Sequence, residues 1–325
     1  MNSHETLIGD PHQVSHSELE LRAQKISAVQ LLLTYRCTAE CSHCFTSSST
    51  RKDDPMKLAE VQEYLKEAKK VGARRVWFFG GEPFLYFDLL LGAIESTKHL
   101  GLEATTTSNA FWATSVESAL KRLRPLRERA LDSIAFSADP FHWEYVPLEY
   151  VRNAVKAAKK LGIKCDIWSC YFAEKDDKRV LRLSREITTR LLLHDVGTVT
   201  FIGTAAEVLA EHAPKQLWTD YLECKMDMIV IDPFGYVQPC MGISIGNAKE
   251  RKLSEIIRTY DIEHHPIMKV LNEEGPVGLA KLAMKYGFRP TEYADGCHLC
   301  YEARKGLLKQ YPQYLAPAIW YERAK

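Results

Sequence analysis

The stretch Thr34-Tyr-Arg-Cys37-Thr-Ala-Glu-Cys41-Ser-His-Cys44-Phe45 carries three thiols at spacing C-x3-C-x2-C. A short loop closing on itself at that spacing converges three sulfurs on one small object and leaves its fourth corner without a protein ligand. Structural zinc sites favour C-x2-C pairs that add up to four ligands. A saturated site of that kind holds structure, whereas an incomplete set leaves room for chemistry. A second set of thiols comes later, Cys224 and Cys240 followed by Cys297-His-Leu-Cys300. Four thiolates saturate either a cubane or a tetrahedral zinc, so spacing leaves that metal open. Full thiolate ligation points to electron transfer or structure rather than to direct binding of a substrate.

Strands and helices must hold these loops in place. Val29, Leu31, Leu32 and Leu33 make residues 26–34 a buried strand that stops at the first cysteine. Asp54 reads as an N-cap and Pro55 as the first position of a helix that carries Leu58, Val61, Leu65 and Ala68 on one face and closes at Gly72. A strand over 75–79 then runs into Gly80-Gly81-Glu82-Pro83, and a helix with Phe87, Leu90, Leu91 and Ile94 stops at Gly101. The alternation continues with strands over 102–107, 133–137, 163–169 and 198–202. Helices over 114–129, 147–161 and 178–193 separate them. Strands alternating with helices predict a parallel α/β sheet with right-handed crossovers. Periodicity does not decide between an open sheet and a partial barrel. In either case ligands sit at the strands' C-terminal ends, where the cysteine loop and Gly-Gly-Glu-Pro both lie.

The grammar changes near Ala205. Residues 206–222 read as a linking helix, and residues 228–231 and 236–238 as a hairpin around Asp232-Pro-Phe-Gly235. Helices are expected over 252–259 and 278–284, then a C-x2-C loop and a last helix. Residues 1–24 are polar, with His4, His12 and His16, and read as a solvated arm too short for a built-in domain that binds a peptide leader.

A formal net charge of +1 excludes the electrostatic footprint of a nucleic-acid or anionic-membrane binder. No apolar run approaches the ~20 residues that span a bilayer, and the N-terminus lacks the order of a secretory signal. The expected location is cytoplasmic, where nine cysteines suggest metal or redox chemistry rather than disulfides.

On Cys37, Cys41, Cys44 and Phe45, with Gly80-Gly81-Glu82-Pro83 at the next strand end, the sequence resembles the radical S-adenosylmethionine (SAM) enzymes. The resemblance implies a partial (β/α)6 TIM-like barrel over 25–205. In it Cys37, Cys41 and Cys44 would hold a 4Fe–4S cluster whose open iron takes the amino and carboxylate groups of SAM. One electron, from a reducing partner such as a flavodoxin or ferredoxin, would cleave SAM to methionine and a 5′-deoxyadenosyl radical that takes hydrogen from a substrate. In Gly80-Gly81-Glu82-Pro83 two glycines allow close approach of backbone to a ligand, and Glu82 offers a carboxylate to an ammonium group. The resemblance makes that group the amino group of SAM. It also sets Phe45 against the adenine, and Asn109, Ser137 and Asp139 as polar contacts to SAM at strand ends. Each of the last three reads equally as a turn residue capping the next helix.

Cys224, Cys240, Cys297 and Cys300 resemble the SPASM extension of these enzymes in its shortened twitch form, over 223–325 after the linker. That form implies one auxiliary 4Fe–4S cluster, with zinc as the alternative. Cys165 and Cys170 are left over. Burial is the plain reading of both, but Cys170, at the catalytic end of its strand, is also placed to hand a hydrogen atom to a substrate radical. Pro140-Phe-His-Trp-Glu-Tyr145 offers His142 and Glu144 for proton transfer, with Trp143 and Tyr145 as a pocket wall or a packing plug. The expected substrate is a ribosomal peptide that is crosslinked, epimerised or oxidised. A sugar, cofactor precursor or lipid is the alternative, and a non-enzymatic iron–sulfur or zinc module the third reading.

Overall fold

The computed structural model describes residues 26–172, 196–224 and 228–322. The polar arm and the helix expected over 178–193 lie outside the described residues. The main sheet has the order β6-β5-β4-β3-β2-β1-β8-β9. Strands β1 (Ala28–Leu32), β2 (Arg75–Phe79), β3 (Glu103–Ser108), β4 (Ser133–Ser137), β5 (Lys164–Tyr171) and β6 (Val196–Thr198) follow one another in sequence. Each pairs parallel to the next, with Leu32 beside Phe79 and Ser137 beside Trp168 at the C-terminal ends. An order that never reverses puts all right-handed crossovers on one face, the arrangement of a partial barrel rather than a doubly wound sheet.

Side-chain alternation along β1 divides the core. Val29 and Leu31 join the helix-side cluster with Val61, Leu65, Leu90 and Ile94, while Leu32 joins a second cluster with Phe79, Val230, Met241 and Trp320. The C-terminal region is thus sealed to the barrel by a shared core. Its hairpin, β8 (Val230–Ile231) and β9 (Val237–Gln238), continues the main sheet, with β8 parallel to β1. Asp232 builds the turn by accepting from the backbone N–H of Phe234 and Tyr236, both at 3.0 Å, and its other oxygen accepts from the Tyr35 hydroxyl and Gln238 Nε2. Burial pushes this carboxyl up to about 7. A raised folded-state pKa favours the folded chain at low pH, and that advantage is lost as pH rises to about 7. Asp232→Asn is therefore expected to gain stability over the parent chain between pH 4 and pH 8, read as the pH dependence of the difference in Tm.

Several expected boundaries shift for local reasons. Asp54 is not a helix cap: its Oδ1 accepts from Tyr35 N–H at 3.0 Å and Thr34 Oγ1 at 3.3 Å, which ties it to the end of β1. Helix α1 (Leu58–Lys70) starts after Lys57, whose N–H is taken back by Glu60 at 2.9 Å. No single helix fills 206–222. Pro214 interrupts it, and β7 (Gln216–Leu217) pairs antiparallel with β10 (Glu292–Tyr293). The helix expected over 278–284 begins earlier, at Pro266, and bends at Gly275, where a Cβ would stand 2.2 Å from the Leu222 carbonyl. The C-x2-C pair sits in the first turn of the helix Gly296–Leu307, whose N-cap Asp295 accepts from His298 N–H at 2.6 Å. No helix among the described residues is long and apolar enough to cross a membrane.

Candidate active site

The cysteine loop leaves β1 and is held at every thiol. Cys37 N–H donates to Ser49 O at 3.0 Å, Cys44 N–H to Cys41 O at 3.0 Å, and Thr204 N–H to Cys44 O at 3.1 Å. Two sulfurs have donors aimed at them: Ser48 N–H lies 3.4 Å from Cys44 Sγ, and Asn109 Nδ2 lies 3.9 Å from Cys37 Sγ. Such donors stabilise thiolate ligands and tune what they bind. Without a bound cation, burial pushes the Cys37 thiol up to about 12 and the Cys41 thiol higher still. The three thiols are not among the groups of described residues whose ligand atoms all lie within 4.8 Å. Sulfurs around one tetrahedral ion would be roughly 4 Å apart, so this donor set fits an object larger than a single ion.

Gly80 and Gly81 lie at the end of β2, where that strand crosses the root of the cysteine loop. Gly81 N–H donates to Thr34 O at 2.7 Å and Glu82 N–H to Arg36 O at 2.9 Å. A Cβ on Gly80 would stand 2.4 Å from Thr34 O, and one on Gly81 2.0 Å from Arg36 O. In this structure the close approach that demands glycine is therefore to the chain's own loop, where the sequence suggests a ligand. Glu82 is 1% exposed, and its oxygens accept from Phe84 N–H (3.1 Å), Ser108 Oγ (3.0 Å) and Asn109 N–H (2.8 Å). Burial raises it to about 7 against those donors. The carboxylate locks the end of β3 to the end of β2, with Pro83 buried behind it.

A cavity of about 500 Å³ opens at the strands' C-terminal ends, within the usual range for a cofactor site. Cys37, Cys41, Cys44, Phe45, Gly80, Gly81, Asn109, Ser137, Asp139, His142 and Cys170 all line it; Glu82 and Pro83 do not. Asp139 is its polar hub. Oδ1 accepts from the N–H groups of Phe141 and His142, both at 3.1 Å, and contacts His142 Nδ1 at 2.9 Å. Oδ2 faces His43 Nε2 and Cys170 Sγ, both at 3.7 Å. Burial opposes its charge, yet His142 and His43 hold it down to about 2. Capping and cavity lining are thus one residue's two jobs. Asn109 turns its amide toward Cys37 and Thr38. Phe45 is exposed, and its carbonyl accepts from Trp320 Nε1 at 3.0 Å.

Of the aromatic segment after β4, only His142 reaches the cavity. Phe141 stacks on His43 with ring centres 4.6 Å apart, Trp143 packs on the helix-side core, and the Tyr145 hydroxyl donates to Glu40 O at 2.9 Å. Cys165 also packs on the helix side, one face of β5 away from Cys170. Sequence reasoning passed over Trp77, Trp168 and His43. Trp77 stacks on Phe79 at 4.9 Å and meets Trp168 edge-on at 4.6 Å, forming the cavity floor. The two-residue period of β2 and β5 carries that signal: Trp77 shares a face with Phe79, and Trp168 with Cys170. Trp77 Nε1 and His43 Nδ1 are buried without a hydrogen-bond partner among the described residues, as expected where a ligand completes the wall.

The radical SAM superfamily model matches residues 31–184, the span that holds the end of β1, the cysteine loop, the Gly-Gly-Glu-Pro turn and strands β2–β5. This chain carries a radical SAM domain. Members of that superfamily are enzymes that use a 4Fe–4S cluster and SAM. Among curated proteins the radical SAM chain is similar to the putative peptide biosynthesis protein YydG of Bacillus subtilis (strain 168). The two are 24% identical over 259 residues, covering 76% of this chain and 81% of that protein. It is also similar to the GTP 3',8-cyclase of Aquifex aeolicus (strain VF5), 27% identical over 201 residues, 56% of this chain and 61% of the cyclase. Among solved structures, SuiB of Streptococcus suis bound to SAM superposes with a TM-score of 0.54 at 17% identity, over 78% of this chain and 74% of SuiB. The anSMEcpe structure with bound SAM gives 0.53 at 11% identity, over 88% and 97%. These two likenesses establish the fold.

The second thiol set also converges. Cys240 follows β9 and bridges to Ile243, and Cys297 and Cys300 lie one helical turn apart. Cys297 is an exposed residue, yet its thiol is raised by the crowding of atoms around the sulfur and then by Asp295, Cys240, Cys300 and Cys224, so all four sulfurs lie within electrostatic reach of one another. No three of them have sulfurs within 4.8 Å.

Proposed function

We propose that this radical SAM enzyme modifies a peptide, with Cys37, Cys41 and Cys44 holding the catalytic cluster and Cys170 returning a hydrogen atom to the substrate. When bound, the cluster and SAM supply a 5′-deoxyadenosyl radical. The chain's residues position that chemistry: Asn109 and Ser48 donate to ligand sulfurs, and Ser137, Asp139 and Phe45 face the space SAM would fill. Glu82, held by three protein donors and absent from the cavity wall, braces the ends of β2 and β3 behind Gly80 and Gly81. Peptide substrates are supported by the similarity to YydG, a putative peptide biosynthesis protein, and by SuiB, solved with its precursor peptide SuiA.

The observation that carries the hydrogen-return step is the place of Cys170. It lines the cavity, and burial with the adjacent Asp139 carboxylate keeps its sulfur in the S–H form. A hydrogen-atom donor must be a thiol, not a thiolate. Transfer of that hydrogen to a substrate carbon radical would leave a sulfur radical, restored by one electron from the external reductant and one proton. The net change on the peptide is then inversion without oxidation. Anaerobic incubation with dithionite, SAM and precursor peptides encoded near the gene, in deuterated water, tests this. One deuterium per product molecule is expected, lost in Cys170→Ala while 5′-deoxyadenosine still forms. Unchanged deuterium incorporation in that variant would remove Cys170 from the reaction, and no change to any peptide would remove the peptide reading.

A further inference from the structure

Arg304 is a full charge buried where no acid meets it. The residue is 1% exposed, and its guanidinium lies 5.1 Å from the Trp320 ring centre and 5.8 Å from that of Tyr321. Nη1 donates to Met241 O at 2.7 Å and to the Tyr321 hydroxyl at 3.4 Å, and Nε to Cys300 O at 3.4 Å. Among the described residues no ion pair to a carboxylate reaches it. Its partners are neutral oxygens, and two of them belong to the thiol segments: the carbonyl of Cys300 itself and that of Met241, next to Cys240. A buried guanidinium without a counter-charge is strongly unfavourable, so the missing anion belongs to whatever those thiols bind. Four thiolates around a dication core leave a net negative group, which matches in sign and place.

We propose that Arg304 is the counter-charge of an auxiliary iron–sulfur cluster held by Cys224, Cys240, Cys297 and Cys300, and that it sets that cluster's reduction potential. The proposal rests on the reading of those four cysteines as cluster ligands. A fixed positive charge favours the more negative, reduced cluster and so raises its potential. Trp320 keeps the charge in position: its indole lies against the guanidinium, packs where Gly242 has no Cβ (2.3 Å from Trp320 Cε3), and donates to the Phe45 carbonyl beside Cys44. One side chain therefore joins the segment beside Cys44 to Arg304 and Gly242 near the second thiol set.

The test uses the full chain with Cys37, Cys41 and Cys44 all changed to alanine, so that only the second set binds iron. Metal analysis comes first: zinc or no metal would end the cluster reading itself, independently of Arg304. With iron present, a potentiometric titration followed by electron paramagnetic resonance compares Arg304→Gln and Arg304→Lys. At the parent's midpoint Arg304→Gln is expected to lower the reduced-to-oxidised ratio at least tenfold, about 59 mV for one electron. Arg304→Lys should stay near the parent. An iron-replete Arg304→Gln protein with an unchanged midpoint would overturn the proposal. If Arg304→Gln loses its iron, a lysine variant that keeps both iron and midpoint supports the charge role, whereas loss in both variants overturns it.

Discussion

Changing any one of Cys37, Cys41 and Cys44 to alanine is expected to abolish formation of 5′-deoxyadenosine from SAM. The same change at Cys224 or Cys297 should spare it and stop peptide product alone. The division follows from where the two sets lie. The first three thiols wall the cavity together with Asp139, Cys170 and the Gly80–Gly81 backbone, and three ligands leave one corner of a cubane for the cofactor. Four thiolates on one cluster would leave it no open corner, and the other four cysteines are absent from that wall. Loss of one of the first three should also remove the catalytic cluster's iron, so iron content and cleavage should fall together. Cleavage at the parent's rate in Cys41→Ala would show that the loop does not hold the reacting cluster.

A second large effect is expected from adding one methyl group at Gly81. Its Cβ would stand 2.0 Å from the Arg36 carbonyl oxygen and 3.0 Å from Cys37 N, and both neighbours are backbone. Neither can rotate away, so the strand end or the cysteine loop must move. Overpacking typically costs about 1–3 kcal/mol, and backbone against backbone should reach ~3 kcal/mol or more, a fall in Tm on the order of 5–10 °C. Because the displaced peptide joins Arg36 to Cys37, cluster iron should drop as well. Gly101→Ala is the control: it sits at φ 71° with open space around it, so it should cost about 1–2 kcal/mol from its backbone alone and leave iron unchanged. Equal iron loss in both variants would deny Gly81 its special place.

How far the sequence reached depends on which interactions are local. The strand run through Leu31 and Leu32, the glycine stops at Gly72 and Gly101, and the Asp232 turn are set by neighbours in the chain, and they are legible in the sequence. Non-local contacts are not. Asp54 looks like a helix cap until Tyr35 and Thr34 claim it, and Glu82 looks like a free carboxylate until Ser108 and Asn109 arrive from the next strand. The cavity floor of Trp77 and Trp168 needs strand register: it brings Ser137 opposite Trp168 and Leu32 opposite Phe79. Arg304 gave no signal at all, because a helical arginine is ordinarily solvated, and only burial beneath Trp320 and Tyr321 reveals it.

The most direct measurement is on the unmodified chain, reconstituted with iron and sulfide and incubated anaerobically with dithionite and SAM, without any peptide. Equal amounts of 5′-deoxyadenosine and methionine are expected, at a slow rate that rises once the right peptide is supplied. An iron-replete protein that forms neither product would contradict the reading of the cysteine loop as the place where the reaction begins.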